Sequence, residues 1–402
     1  MKKVMAIVLA GGRGERMGIL CQDRSKPILP FGPGRVIDFT LSNCINSAID
    51  NIAMAVDYER KTTTDYVTAW SRANSRHKEI EMLEPLNGGY KGTADAVYQH
   101  LDYIQQSAPD EVLILAGGHV YQADYRDVLD YHAYYKADVT IYTRHVPIDQ
   151  ASRFGVVEVN NDGKIVDFIE KPSMPHGNLV SMGIYVFKTP VLLEALKRDH
   201  LCNSSAHDFG YDIIPGLLRS NQVLSFTYEG YWRDIGTVES YFATNMDYLD
   251  NRLSMDTAKW PLMTTGNSFI RMLASPDGRI SNSLVSRNSQ IEGKTLNSIV
   301  WENARICRNA RVSNSLVLSN TLIGERSKID RCVLDEDVTV DRACHIGKAG
   351  PDYGSRHVTV LGRGARVSQY DAISLNYERS KYLNVKYNTN FRQAAHGLIL
   401  AR

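Results

Sequence analysis

The chain has 402 residues, 43% of them hydrophobic, enough to bury a substantial core and to build two domains. Its 46 basic and 45 acidic side chains leave a formal net charge of +1, which excludes the large uniform field that a nucleic acid or an anionic membrane exploits, so any anion site must be local. Six scattered cysteines without a C-x-x-C pair, and no apolar run near the roughly 20 residues of a membrane helix, suggest a soluble protein of a reducing, cytoplasmic compartment.

Val4 to Ala10 is an apolar, β-branched run that reads as a buried strand. It empties into Gly11-Gly12-Arg13-Gly14-Glu15-Arg16, followed by Lys26-Pro27. Glycines let backbone N–H groups approach a ligand, and Arg13, Arg16, Arg24 and Lys26 crowd cationic heads into the same stretch. The combination reads as a phosphate cradle, with a solvated turn as its bland alternative. Val36 to Phe39 follows as a short apolar segment, Leu41 to Ile52 as a helix and Ile52 to Val56 as the next strand. Thr62 to Trp70 predicts another helix and Arg72 to Lys78 a basic loop.

The glycines of Gly88-Gly89-Tyr90-Lys91-Gly92 permit close approach to a flat ligand, and a helix from Thr93 through Tyr103 offers Thr93 and Asp95 in its first turn. Glu111 to Ala116 has the pattern of a central strand and ends in Gly117-Gly118-His119, where an open α/β sheet places ligand groups. A helix over Asp124 to Tyr135 and a strand over Val139 to Tyr142 come next. Residues 154–159 and 164–172 read as a hairpin leaving through Glu170-Lys171-Pro172. Adjacent strand residues face opposite ways, so Glu170 and Lys171 serve one ligand only if the chain turns there, as Pro172 allows. Ser181 to Phe187 is a further strand. Asp234, after Trp232-Arg233, either projects into a cleft or caps the helix that runs to Leu249.

Ser254 to Ser275 reads as a linker. Beyond it, apolar residues recur every five or six positions, at Ile280, Leu284, Ile291, Leu296, Val300, Ile306, Val312, Val317, Ile323, Ile329, Leu334 and Val340. Strands this short cannot bury a face alone, so stacked coils of a left-handed parallel β-helix are expected over about 280 to 375, with a longer loop near Gly350 to Ser355. Asn376 to Arg402 suits a terminal strand or an oligomer contact.

The glycine–arginine loop with its Lys-Pro, Leu41 to Ser47, Gly92-Thr93-Ala94-Asp95-Ala96, Glu170-Lys171-Pro172, Ser181-Met182-Gly183 and Trp232 to Thr237 stand in an order that resembles the glucose-1-phosphate adenylyltransferases, or ADP-glucose pyrophosphorylases. The resemblance covers nearly the whole chain. It implies an α/β fold: a Rossmann-like nucleotidyltransferase domain with a mixed sheet over 1–253, a linker over 254–279, and a left-handed β-helix domain with an extension over 280–402. The implied reaction is ATP plus α-D-glucose 1-phosphate giving ADP-glucose and pyrophosphate, with Mg2+ as cofactor, for glycogen synthesis. Carried over by position, Gly11, Gly12, Gly14, Arg16 and Lys26 hold the triphosphate, and Tyr90, Gly92 and Asp95 lie on the nucleotide side. Gly155, Glu170, Lys171 and Ser181 contact the sugar phosphate. Arg16, Lys26 and Asp234 would be catalytic, Asp234 as metal ligand.

Three residues depart from the family pattern. Gly118 stands where the family has a metal-binding aspartate, Asp57 where it has a glutamine on the adenine side, and Glu15 where it has a threonine in the phosphate loop. Two readings follow: a working adenylyltransferase, or an impaired regulatory subunit beside an active paralogue. A nucleotidyltransferase of altered base or sugar specificity is a third. The family also implies a homotetramer or hetero-oligomer and an anionic metabolite effector, with neither nucleic acid nor membrane as partner.

Overall fold

The opening apolar run forms the strand Val4–Leu9, in which Met5, Ala6, Ile7 and Val8 are wholly buried. A strand covered on both faces reads as a continuous hydrophobic run, without alternation. It pairs in parallel with Ile52–Ala55 on one side and Glu111–Ala116 on the other. The computed structural model describes residues 2–74, 80–86, 88–256, 258–266, 268–347 and 358–373. In it these strands belong to a mixed sheet, ordered Ile165–Glu170, Gly155–Val159, Leu179–Lys188, Glu111–Ala116, Val4–Leu9, Ile52–Ala55 and Glu81–Leu83. Leu179–Lys188 runs antiparallel to Glu111–Ala116 and also pairs with Val139–His145, along which Val223–Thr227 lies in parallel.

Several helices differ from the sequence expectation. One helix spans Val36–Asn46, so the apolar segment Val36 to Phe39 is its first turn and not a separate element. Asp38 starts it there by accepting the Arg35 backbone N–H at 2.8 Å, and the chain turns away at Ala48, whose φ is 58°. The expected helix from Thr93 to Tyr103 is two, Thr93–Tyr98 and Leu101–Ser107. Arg72 continues the helix Arg60–Asn74, and the rest of the expected basic loop, from Ser75, lies outside the described residues.

From Ile280 onward, short strands stack in parallel as a left-handed β-helix, with Leu284 beside Ile299, Ile299 beside Leu316, Leu316 beside Val333 and Val333 beside Val360. The predicted periodic residues from Val300 to Val340 fill its interior. Two earlier ones do not: Leu296 is 39% exposed, because its neighbour Thr295 takes the inward position and side chains alternate along a strand, and Leu284 packs outward while Val285 joins the interior. Asparagines turn the corners: Asn297, Asn303, Asn314 and Asn320 all have φ between 47° and 60°, a region asparagine tolerates better than most residues. Their amides form a ladder, Asn282 to Asn297 at 3.0 Å and Asn297 to Asn314 at 2.8 Å. The connecting stretch holds a strand, Phe269–Ala274, that pairs antiparallel with Ile280–Ser286. The loop expected near Gly350 to Ser355 and the ending Asn376 to Arg402 lie outside the described residues.

The turn that follows the glycine loop packs directly on the β-helix. Met17, Leu20, Phe31 and Tyr241 share one apolar cluster with Leu284, Ile299, Trp301 and Val333. Among the described residues no helix is long and apolar enough to cross a membrane.

Candidate functional site

The strands Val4–Leu9 and Glu111–Ala116 run side by side in parallel, so both end at the same edge of the sheet. Loops leaving neighbouring strands there diverge and open a crevice, where doubly wound sheets bind ligands. A cavity of about 850 Å³ lies in this position. It is lined by Gly11 to Arg16 and Lys26 from the first loop, Gly117 to His119 from the second, and Trp232, Asp234 and Gly236. Further along it come Tyr90 and Gly92, and then Gly155, Glu170, Lys171 and Ser181. The residues read from sequence as phosphate-side, nucleotide-side and sugar-side are therefore neighbours around one space, except Asp95.

Asp95 is not among the lining residues. Its carboxylate accepts the Lys91 N–H at 2.9 Å and the Gln99 amide at 2.8 Å, which braces the loop before the helix Thr93–Tyr98. Tyr90 presents its ring to the cavity while its hydroxyl donates to the Leu83 carbonyl at 2.8 Å. The Tyr90 backbone N–H donates to Asp57 at 3.2 Å, so Asp57 lines the same end.

Gly14 adopts φ 66°, and a side chain there would press on Cys21 and Lys26 at 3.1 and 3.2 Å. This left-handed residue turns the loop into the short 3-10 segment Glu15–Cys21.

Lys26 Nζ donates to Asp234 Oδ1 at 3.2 Å. The His119 ring faces the same oxygen, with Nε2 at 3.7 Å, and its Nδ1 accepts the Trp232 indole N–H at 3.3 Å. That bond assigns the imidazole proton to Nε2, on the carboxylate side. Burial pushes the His119 pKa down to about 4; Asp234 opposes the shift and Lys26 adds to it, so the ring is neutral at pH 7. Burial alone would raise Asp234, but Lys26, His119 and Arg16 overcome it and hold the carboxyl at about 2. Gly236 leaves room for two guanidiniums: a methyl group there would lie 2.7 Å from Asp234 Oδ2, 3.2 Å from Arg16 and 3.4 Å from Arg153. Asp234 is not the helix cap; Thr237 is, accepting the Ser240 N–H at 3.2 Å.

At the other end, the chain turns at Lys171, whose φ is 46° and whose N–H donates to the Phe154 carbonyl at 3.0 Å. The turn lets Glu170 and Lys171 act together, with Lys171 Nζ 2.6 Å from Glu170 Oε1. Burial would lower the Lys171 pKa, but the hydrogen bond and charge of Glu170, with Tyr211 and Asp208, leave it raised. Glu170 is wedged between two glycines: a Cβ on Gly155 would lie 2.7 Å from its Oε2, and one on Gly210 2.5 Å. Ser181 accepts the Gly183 N–H through its hydroxyl at 3.1 Å.

The donors around Asp234 do not by themselves fit a magnesium ion, which asks for a near-octahedral oxygen shell. One carboxylate stands among Lys26, Arg16, Arg153 and the protonated nitrogen of His119, and Gly118 adds no side chain. A cluster capable of coordinating a metal, Glu158, Asp167 and His176, is present on and beside the hairpin, but none of the three lines the cavity.

Arg153, Asp208 and Gly210 line the cavity and carry no recognisable signal in the sequence. Arg153 precedes the hairpin without a motif around it. Asp208 accepts the Thr93 hydroxyl at 2.8 Å, a contact across more than a hundred residues of chain, and the nearby Gly210 N–H at 2.8 Å.

Two family models match the chain: the nucleotidyl transferase model over residues 5–251, and the GlmU-like C-terminal hexapeptide model over residues 266–367. The chain is 42% identical over 323 residues to the glucose-1-phosphate adenylyltransferase of Geobacillus stearothermophilus, covering 77% of this chain and 83% of that protein. It is 36% identical over 375 residues to the enzyme of that name from Desulforamulus reducens, covering 90% and 94%. Against the one from Acetivibrio thermocellus it is 34% identical over 406 residues, covering 96% and 95%. With this site at the edge of this sheet and a β-helix behind it, the chain belongs to the glucose-1-phosphate adenylyltransferase family.

Proposed function

We propose that the chain transfers an adenylyl group from ATP to α-D-glucose 1-phosphate, releasing pyrophosphate, the activating step of glycogen synthesis. An anionic oxygen of the sugar phosphate attacks the α-phosphorus in line, the bond from that phosphorus to the bridging oxygen breaks, and pyrophosphate leaves with the electron pair. The attacking oxygen is already charged, so no general base is required. The protein contributes position and electrostatics. Arg16, Lys26 and the loop N–H groups of Gly11 to Gly14 bind the triphosphate, and Arg16 offsets the charge that grows in the transition state. Lys171, aimed by Glu170, binds the sugar phosphate. The observation that supports this reading most is one cavity lined by the glycine–arginine loop together with Glu170, Lys171 and Ser181.

Pyrophosphate release from ATP and glucose 1-phosphate tests it. Lys171→Gln is expected to raise KM for glucose 1-phosphate by about 100-fold, since hydrogen bonds to charged groups are the strong ones, and to leave KM for ATP nearly unchanged. Equal effects on both substrates would overturn the assignment of Lys171. Running the same assay with the other nucleoside triphosphates tests the base preference that Asp57 puts in question.

Gly118 favours a second reading: a subunit with little activity alone that modulates an active paralogue in a hetero-oligomer, under an anionic effector. Activity at blank level in the native chain, recovered in Gly118→Asp, would select it. Brisk turnover by the native chain would select the working enzyme, for which a homotetramer is the family expectation.

A further inference from the structure

The side chain of Lys26 occupies the space that a residue at position 118 would need. A Cβ built on Gly118 meets the end of that side chain, Nζ at 2.5 Å and Cε closer still. The ammonium lying there donates to Asp234 at 3.2 Å. An aspartate at 118 would therefore have to push aside the end of this flexible side chain; with glycine there, one acid faces a cation covalently attached to the chain, where two acids would attract a cation from solution.

We propose that Lys26 is the resident cation of this site, so that the chain binds the polyphosphate of a nucleotide without requiring a divalent metal. Three observations bear on it. The ammonium is held by Asp234, and the root of the side chain lies close against the Gly14 turn, where a Cβ on Gly14 would come within 3.2 Å of Lys26 Cβ. The lysine begins the short turn Lys26–Ile28 with Pro27 next to it, which fixes the backbone from which the side chain reaches out. The other groups around Asp234, Arg16 and Arg153 with the Nε2–H of His119, are donors too, so the site as a whole offers hydrogen bonds to phosphate oxygens and repels a doubly charged ion. A polyphosphate entering here takes over the ammonium from Asp234, and the carboxylate stays beside the His119 ring, whose Nε2 is 3.7 Å away.

The inference rests on the nucleotide-binding reading above, and calorimetric titration of the full-length chain with ATP, in EDTA and in excess magnesium, separates the two. The native chain is expected to bind with dissociation constants that agree within about threefold in the two conditions, a difference of less than a kcal/mol. Lys26→Met should weaken binding in EDTA by at least about tenfold and regain part of it with magnesium, whereas Lys26→Arg, which keeps the charge, should bind within about threefold of native in EDTA. Gly118→Asp reaches the same place from the other side: it displaces the lysine and should make binding magnesium-dependent. Native binding that strengthens about tenfold or more on adding magnesium overturns the inference and leaves nucleotide binding intact. An unchanged affinity of Lys26→Met in EDTA, with its thermal unfolding midpoint near native, also overturns it. No binding in either condition overturns the nucleotide reading and this inference with it.

Discussion

His132 is fully buried in the helix Tyr125–Tyr134, its Nδ1 2.8 Å from the Thr140 hydroxyl and its Nε2 3.9 Å from Glu111, without a hydrogen-bond partner for Nε2 among the described residues. Burial, with the charges of Lys2 and Lys188 added and Asp138 opposing, pushes its pKa down to about 4. An unfolded histidine titrates near 6.5. Between those values the unfolded chain binds more protons than the folded one, so stability should fall as pH drops from about 6.5 to about 4, by up to about 3 kcal/mol from this residue. His132→Asn, unfolded in denaturant at several pH values, should flatten that slope; an unchanged slope would sink the assignment. Nothing in the sequence marked His132, because its surroundings come from other strands. Gly118 is the opposite case. Its departure from the family pattern is visible in the sequence, and the side chain that fills its place is not.

The elements that build the site do so by bringing turns against turns. The segment Phe209–Ile213 lies against the hairpin end, where Gly210 leaves the Glu170 carboxylate its room. Gly210→Ala should push Glu170 aside and loosen its hold on Lys171, raising KM for glucose 1-phosphate by about tenfold while KM for ATP stays near native. Equal KM values in native and variant protein would show that Glu170 can shift without cost. The hairpin and its exit were legible in the sequence, since alternation, a glycine turn and Pro172 mark them locally. The segment 209–213 was not, because its part in the site depends on packing across the sheet. Helix boundaries failed for a related reason. The apolar spacing of Leu41 to Ile52 could not show that Asp38 starts the helix earlier, and the buried side chains of Val36, Ile37 and Phe39 face the core from that first turn.

At the scale of the molecule, the two parts meet through a buried ion cluster. Arg24, between the glycine loop and Lys26, pairs with Asp335 of the β-helix and lies 3.0 Å from Glu336, which also pairs with Arg363. Arg24 is 3% exposed and Asp335 1%. Removing one partner strands a buried charge, so Asp335→Leu should cost about 3 kcal/mol of unfolding free energy. The double variant Arg24→Met with Asp335→Leu should recover most of that loss, and strictly additive costs in the cycle would show the two charges to be independent. By itself the sequence determined the strands, the coil period and the motif order, because burial on both faces, glycine turns and periodic apolar residues are local properties that a chain carries along its length. Only the tertiary structure decided that Arg24 is a tie to the β-helix and does not line the cavity, that Asp95 braces a loop, and that Lys26 fills the place beside Gly118. Each of these is a contact between residues distant in the chain, and a charge or a gap acquires its meaning from whatever folds against it.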